Sequence, residues 1–186
     1  MLICIKMKHK LSQKIEIPEG VTCTFENDVV KCKKDSVELT KHIHVPTMDV
    51  KIKGSIIELE CKSGNKNDYK KIMTFQAHIK NLFRGLSKKF VYKLESANVH
   101  FPMSLKVEKD KLVISNFLGE KVARHAQILP NVHVKVNANQ ITVESHDRES
   151  AGQTAANFEQ ATKVSGRDRR IFQDGIFLTE KPGREE

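Results

Sequence analysis

The sequence predicts an α+β protein made of two duplicated domains, each an antiparallel β-sheet unit with one packed α-helix. Three observations support this prediction. Prolines recur at a fixed offset, short apolar–polar alternations separated by turn residues fill each half, and each half holds one segment with apolar residues at helical spacing.

The duplication is read from the prolines. Pro18 and Pro46 recur as Pro102 and Pro130, each 84 residues later, and the triplet at residues 50–52 aligns with residues 134–136 at the same offset. Proline has a restricted backbone and no amide donor, so coincident prolines are a stronger indication than coincident apolar residues. We therefore expect two copies of one fold.

In the first copy, alternating residues predict a hairpin between Val21 and Cys32 with its turn at Asn27-Asp28. A second hairpin is expected around Gly54-Ser55. A helix follows, and a strand at residues 90–94 closes the copy. The helix carries its apolar positions on one face: Ile72, Phe75, Ile79, Leu82, Phe83 and Leu86.

The second copy repeats this order, with hairpins expected around Lys109-Asp110 and residues 137–139. A smaller helix with Ala151, Ala155 and Phe158 on one face precedes a closing strand at residues 175–179. The expected organisation is an N-terminal extension at 1–6, a strongly basic repeat at 7–94, a second repeat at 95–181 and a tail at 182–186.

The charge of the chain predicts a polyanionic partner. The 186 residues include 32 Lys and Arg against 23 Asp and Glu, which gives a formal net charge of +9 and a pI of about 9.4. Residues 1–93 hold 19 basic and 10 acidic side chains, whereas residues 94–186 hold 13 of each. The second half must therefore gather its positive charge locally.

Several classes of protein are disfavoured. No run of eighteen apolar residues is present, so no membrane span is expected, and the opening MLICI is too short for a signal-peptide core. The four cysteines show no paired close spacing, which favours free thiols in a reducing compartment: Cys4, Cys23, Cys32 and Cys61. No glycine-rich phosphate loop is present, and no cofactor is expected.

Catalytic and metal patterns are weak. Ser145-His146-Asp147 contains triad residue types, but triads are assembled in space and a solvated turn is the expected reading. His42 and His44 could share one face of a strand and hold a metal ion. They lack companions at zinc-like spacing, so a structural or RNA-facing role is favoured.

Basic segments are the stronger signal. Residues 62–93 contain nine basic residues against the single acid Asp68. For residues 62–71 a solvated helix face and an RNA contact remain equally open, whereas Lys88 and Lys89 are predicted to contact RNA. Lys121 and Arg124 are predicted to contact phosphates, with Glu120 as an intramolecular partner. Aromatic residues make up only 6% of the chain, which disfavours binding by base stacking.

The densest basic cluster lies near the C-terminus, and the only acid among the residues between its first and last member is Asp168. Arginine presents a planar fork of donors that fits phosphate oxygens, so Arg167 and Arg169 are predicted to bind RNA phosphates. Arg170 is expected to be partly structural and to bond Asp174, which with Gly175 is expected to form a tight turn. The cluster comprises Lys163, Arg167, Arg169 and Arg170.

This region resembles a known family signature. The spaced pattern consists of Gln160, Val164, Arg167, Arg170, Phe172, Asp174-Gly175, Ile176-Phe177-Leu178 and Lys181, and a second block covers residues 116–121. Both resemble the eukaryotic and archaeal form of the universal large-subunit ribosomal protein six family, called protein nine in eukaryotes. The resemblance extends over nearly the whole chain, with a looser match in the first ninety residues.

The resemblance implies two related β-sheet and helix domains and a structural, non-enzymatic role in the large ribosomal subunit. Large-subunit rRNA and neighbouring large-subunit proteins are the implied partners, near the sarcin–ricin region and the translation-factor site. No membrane, DNA or homo-oligomeric partner is expected. The implied location is the cytoplasmic ribosome, with nucleolar assembly in a eukaryote.

Two alternatives remain at this stage. One is a free-standing RNA-binding protein, such as an assembly factor or a paralogue of the ribosomal protein. The other is a small RNA-modifying or RNA-cleaving enzyme that would use His42 with His44, or His125.

Overall fold

The computed structural model describes residues 9–35, 37–43 and 48–183 and divides the chain into two compact units, Met1–Ser87 and Lys88–Glu186. Residues 1–6, Cys4, His44, Pro46 and the last three residues of the expected tail lie outside the described residues. The fold is α+β with antiparallel sheets, as the sequence predicts.

The described residues of the first unit form two three-stranded sheets and one helix. One sheet has the order β1-β6-β5 and the other the order β2-β3-β4. The elements are β1 His9–Glu16, β2 Thr22–Glu26, β3 Val29–Lys34, β4 Val37–His42, β5 Asp49–Lys53, β6 Ile56–Gly64 and α1 Lys66–Ser87.

The predicted apolar face of α1 forms part of the core of this unit. Ile72 and Ile79 are buried, as are Leu82, Phe83 and Leu86, and they pack with Ile57 and Leu59 of β6. The turn at Asn27-Asp28 is also confirmed, because β2 and β3 pair antiparallel on either side of it.

The second unit repeats this plan and adds a strand. Its sheets have the orders β10-β9-β8 and β11-β12-β7-β13. The elements are β7 Phe90–Ala97, β8 Ser104–Glu108, β9 Lys111–Ser115, a short 3-10 helix Phe117–Gly119, β10 Arg124–Gln127, β11 His133–Asn137, β12 Gln140–Ser145, α2 Arg148–Ala161 and β13 Gly175–Glu180.

Strand β7 was predicted to close the first copy, and that prediction is wrong. It pairs with β12 on one side and β13 on the other, within the second unit. By topology β7 is the counterpart of β1, because both lie beside the long strand of the corresponding hairpin. A run of alternating residues predicts a strand but does not indicate which sheet the strand joins.

Helix α2 packs on the larger sheet of the second unit through Ala151, Ala155 and Phe158, which are buried as predicted. Its N-terminus also corrects the expectation of a solvated turn. Ser145 is buried and donates to the carbonyl of Asn131. Asp147 caps the helix by accepting from the amides of Glu149 and Ser150.

Neither helix within the described residues is long and apolar enough to cross a membrane.

Candidate nucleic-acid interface

The connection between α2 and β13, residues 162–174, contains the predicted arginine cluster and is called the signature loop below. Contacts between the C-terminal end of α2 and the edge strand β13 hold the two ends of this loop close together. The Thr162 hydroxyl accepts from the amide of Ile176 at 2.9 Å, and the Glu159 carboxylate accepts from the amide of Leu178 at 2.9 Å. These contacts satisfy edge-strand donors that would otherwise be open to another chain.

Asp174 anchors the C-terminal end of the signature loop. Its side chain is fully buried and accepts from the amide of Val99 at 2.8 Å and from that of His100 at 3.3 Å. Burial alone would raise the pKa of Asp174. The hydrogen bonds from Val99 and His100 outweigh this effect and hold the pKa below its usual value.

The predicted bond between Arg170 and Asp174 does not form. Arg170 instead forms a bidentate pair with Asp168, with Nη2 2.9 Å from Oδ2, and the amide of Arg170 also donates to Asp168. The geometry is local, because the two residues are only two positions apart, whereas Asp174 points into the protein. The hydrogen bond from Arg170 lowers the pKa of Asp168.

Gly175 does not form the tight turn predicted for it. Gly175 does not have the positive φ that such a turn requires. It is the buried first residue of β13. A Cβ at this position would lie 3.2 Å from the ring of Phe177. Glycine therefore fits here because there is little room for a side chain. The turn was predicted from the backbone freedom of glycine, which this position does not use.

Arg167 lies on a stack of rings. Its guanidinium carbon is 4.8 Å from the centre of the Phe172 ring, and that ring stacks on His100 at 5.2 Å between centroids. His100 Nδ1 lies 3.3 Å from the Asp174 carboxylate. The stack holds the guanidinium group of Arg167 by its face and leaves its donors available, since no hydrogen bond or ion pair engages them in the described part of the chain.

Arg124 is engaged by the protein on several sides. It forms a bidentate pair with Glu120, donates to the carbonyls of Ala161 at 2.8 Å and Lys163 at 3.4 Å, and lies 4.3 Å above the Phe117 ring. The hydrogen bond from Arg124 lowers the pKa of Glu120, with a smaller contribution from the charge of Arg167. Glu120 is thus its partner, as expected, and Arg124 positions the end of α2.

Other predicted cations are exposed, and their side chains have no hydrogen bond or ion pair with the residues that the structure describes: Lys121, Lys163 and Arg169. With Arg167 they form what we call the basic surface. Lys163 and Arg169 line a cleft of about 730 Å³ together with Phe172 and Phe177. Cations without protein partners beside a fixed loop can receive the oxygens of phosphate groups.

Lys88 and Lys89 are exposed but lie apart from the basic surface. They precede β7 at its Phe90 end, whereas the signature loop adjoins the Ala97 end, where Ala97 pairs with Gly175. Eight residues of strand separate the two ends by roughly 20–25 Å. The structure therefore gives two separated basic regions in the second unit.

The residues outside the basic surface give no support for a metal site. Among the described residues, no three His, Cys, Asp or Glu side chains are grouped so that they could hold a metal ion. His42 and His125 are exposed on β4 and β10, in different units.

In the first unit Lys62 lies 4.0 Å from Asp49, while Lys66, Lys70 and Lys71 are exposed.

Sequence reasoning missed the residues that hold the signature loop in place. Val99 and His100 supply amides to Asp174, and Thr162 and Glu159 bind the edge of β13. The partners in the first pair lie about 75 positions from Asp174 in the chain, so no local pattern indicates them. A Thr at the end of the predicted helix was the one signal in the sequence.

Comparisons with known proteins identify the family of the chain. The family model of ribosomal protein L6 matches residues 101–175, which include the whole signature loop. Large ribosomal subunit protein uL6 of Methanococcus vannielii is 39% identical over 174 residues, or 94% of this chain and 96% of the relative. The protein of the same name from Haloarcula marismortui is 38% identical over 170 residues, covering 91% and 96%. This chain therefore belongs to the ribosomal protein L6 family.

Proposed function

We propose that the protein is a structural constituent of the large ribosomal subunit and binds large-subunit rRNA through basic loops. Both relatives are named large ribosomal subunit proteins, and each is covered almost end to end by this chain. The family is structural and non-enzymatic. The chain thus acts by binding and positioning, without chemistry of its own.

The observation that carries the RNA-binding part is the basic surface. Lys121, Lys163, Arg167 and Arg169 are exposed and unpaired in the described part of the chain. Close-set cations repel one another, and a polyanion opposite them removes that cost and releases counterions. Phosphate oxygens match the planar donor fork of arginine, so the sugar–phosphate backbone of RNA is the fitting ligand.

The anchoring of the signature loop supports a positioning role. Asp174 holds one end, and Thr162 with Arg124 holds the other. A loop fixed in this way loses little backbone entropy when its cations bind a phosphate. Binding then fixes the orientation of the RNA backbone relative to the second unit.

The separation of Lys88-Lys89 from the basic surface supports contacts with two backbone segments. The two regions lie at opposite ends of β7, farther apart than one phosphate contact can reach. Together they would hold two RNA helices at a fixed spacing. From the family resemblance we further propose that this RNA lies near the sarcin–ricin region, where the protein supports the translation-factor-binding site beside neighbouring large-subunit proteins.

Sedimentation of the tagged chain in its own cells tests this function. We expect a stoichiometric position on mature large subunits and polysomes, at the cytoplasmic ribosome, with nucleolar assembly if the source is eukaryotic. A pool confined to free or pre-ribosomal fractions would contradict the proposal and favour a free-standing assembly factor. RNA cleavage or modification that His125→Ala abolished without loss of binding would contradict the non-enzymatic role.

A further inference from the structure

The hairpin of β2 and β3 places two cysteines directly opposite each other. Asn27 and Asp28 join the strands, with φ values of 49° and 61°, the conformation of a type I′ turn. The residues that flank such a turn, Glu26 and Val29, form a hydrogen-bonded pair, and the pairs alternate from there. Cys23 and Cys32 therefore form a non-hydrogen-bonded pair, the closer kind, with Cα atoms about 4.5 Å apart.

The thiols of this pair are in contact. The two Sγ atoms lie 3.0 Å apart, and both residues are free thiols in the structure. A Cα separation of about 4.5 Å falls within the range that a disulfide spans. Closing the sulfurs to bonding distance requires a shift of only about 1 Å, which side-chain rotation can supply.

A small solute can reach one of the two sulfurs. Cys23 is half-buried and lines a surface cleft of about 440 Å³ with Thr22, Gly54 and Ser55. Cys32 is fully buried behind it. The pair thus has an accessible thiol and a protected one, which is the arrangement of an attacking and a resolving cysteine.

We propose that Cys23 and Cys32 form a redox modification site, at which hydrogen peroxide converts the two thiols into a cross-strand disulfide. The Cys23 sulfur attacks a peroxide oxygen and becomes a sulfenic acid, as the O–O bond breaks and the other oxygen leaves, once protonated, as water. Cys32 then attacks the sulfenic sulfur, the S–S bond forms and a second water leaves. Two thiols and one hydrogen peroxide give one disulfide and two waters.

The electrostatics of the pair favour this order of steps. The hydrogen bond between the thiols lowers the pKa of Cys23, although burial opposes the change. The same hydrogen bond, with burial, raises the pKa of Cys32. The accessible sulfur is therefore the one that reaches the reactive thiolate form.

Metal binding fits the site less well than oxidation does. Among the described residues no third metal-ligating side chain joins the pair. Two thiolates on one tetrahedral zinc lie about 3.8 Å apart, given Zn–S distances of about 2.3 Å. Oxidation requires only the two sulfurs that are already in contact, and a thiol reductant reverses it.

Thiol counting and peptide mapping of the full chain test the site. After treatment with hydrogen peroxide and alkylation, we expect free thiols to fall from the four in the sequence to two. The map should show a link between Cys23 and Cys32, and dithiothreitol should restore all four thiols. The variant Cys4→Ser/Cys61→Ser should lose both remaining thiols without forming a dimer. Cys32→Ser should instead accumulate a sulfenic acid at Cys23 that dimedone traps.

Two results would overturn the proposal. One is a disulfide that includes Cys4 or Cys61, or that joins two chains, in place of the Cys23–Cys32 link. The other is a full chain with four free thiols under peroxide conditions that oxidise a control dithiol protein. If the Cys61→Ser variant does not fold, the peptide map of the unmutated chain still decides between these outcomes.

Discussion

The carboxylate of Asp174 accepts a hydrogen bond of 2.8 Å from the main-chain amide of Val99, although the two residues lie 75 positions apart in the chain. The contact joins the end of the signature loop to the segment that follows β7. His100, the next residue, supplies a second amide to the same carboxylate and stacks on Phe172. The loop that presents the basic surface is thus fixed by residues from the start of its own unit.

Asp174→Ala should loosen the signature loop. It removes a buried acceptor from the amides of Val99 and His100, and a hydrogen bond to a charged group contributes about 1.5–3 kcal/mol of unfolding free energy. We expect faster hydrogen exchange in peptides that cover residues 97–101 and 171–176. Asp174→Asn keeps one acceptor oxygen and should show a smaller effect. Exchange rates equal to those of the unmutated chain would contradict this role.

The same carboxylate should make the stability of the protein sensitive to acid. Because the pKa of Asp174 is lowered in the folded state, its ionised form contributes stability above the unfolded pKa of about 3.9. That contribution is lost as the pH falls through the folded pKa. Thermal unfolding of the unmutated chain and of Asp174→Asn should therefore differ most near neutral pH and converge below about pH 4. A difference that does not change with pH would exclude this linkage.

Thr162→Val should weaken the attachment of β13 to α2. The substitution keeps the shape of the side chain but removes the hydroxyl that accepts from the buried amide of Ile176. We expect a loss of about 1–3 kcal/mol in unfolding free energy, measured by urea denaturation. Thr179→Val is the matched control, because Thr179 is exposed and only donates to the carbonyl of Lys93. Equal effects of the two substitutions would argue against a role of Thr162 in attaching β13 to α2.

Arg124→Gln should separate positioning from phosphate binding. Glutamine removes the charge and cannot reproduce the fork that reaches Glu120 and the carbonyl of Ala161. We expect lower thermal stability and faster hydrogen exchange at residues 160–164. The salt dependence of RNA affinity should stay unchanged, because the guanidinium group is engaged by the protein. A reduced salt dependence with unchanged stability would show instead that Arg124 contacts phosphate.

Local patterns predicted the elements of this fold well. The apolar face of α1, the turn at Asn27-Asp28 and the two hairpins follow from spacing and turn residues, which act over a few positions. Strand β7 was placed in the wrong unit because sheet membership depends on partners far away in the chain, here β12 and β13.

In the candidate site, too, local features could be predicted from the sequence and contacts between distant residues could not. The exposed arginines could be recognised from their density, because a cluster with one acid nearby cannot be neutralised locally. The role of Asp174 could not, since its partners come from residues 99 and 100. The hydrogen bonds of Arg124 could not be predicted either, because its carbonyl acceptors lie at the end of α2.

The salt dependence of rRNA binding by Arg167→Ala/Arg169→Ala tests the central claim most directly. Affinity for purified large-subunit rRNA is measured at several salt concentrations, and far-UV circular dichroism checks that the variant folds. Each lost phosphate contact should reduce the slope of log affinity against log salt by about 0.7–0.9, so two should reduce it by about 1.4–1.8.

Lys106→Ala/Lys135→Ala removes the same charge and is the matched control. Both lysines are exposed in the second unit and lie 3.8 Å from a glutamate, Glu108 and Glu144. The control should change the slope little. A slope that falls only in the arginine variant is the result we predict, and an arginine variant with the slope of the unmutated chain would contradict RNA binding through the signature loop.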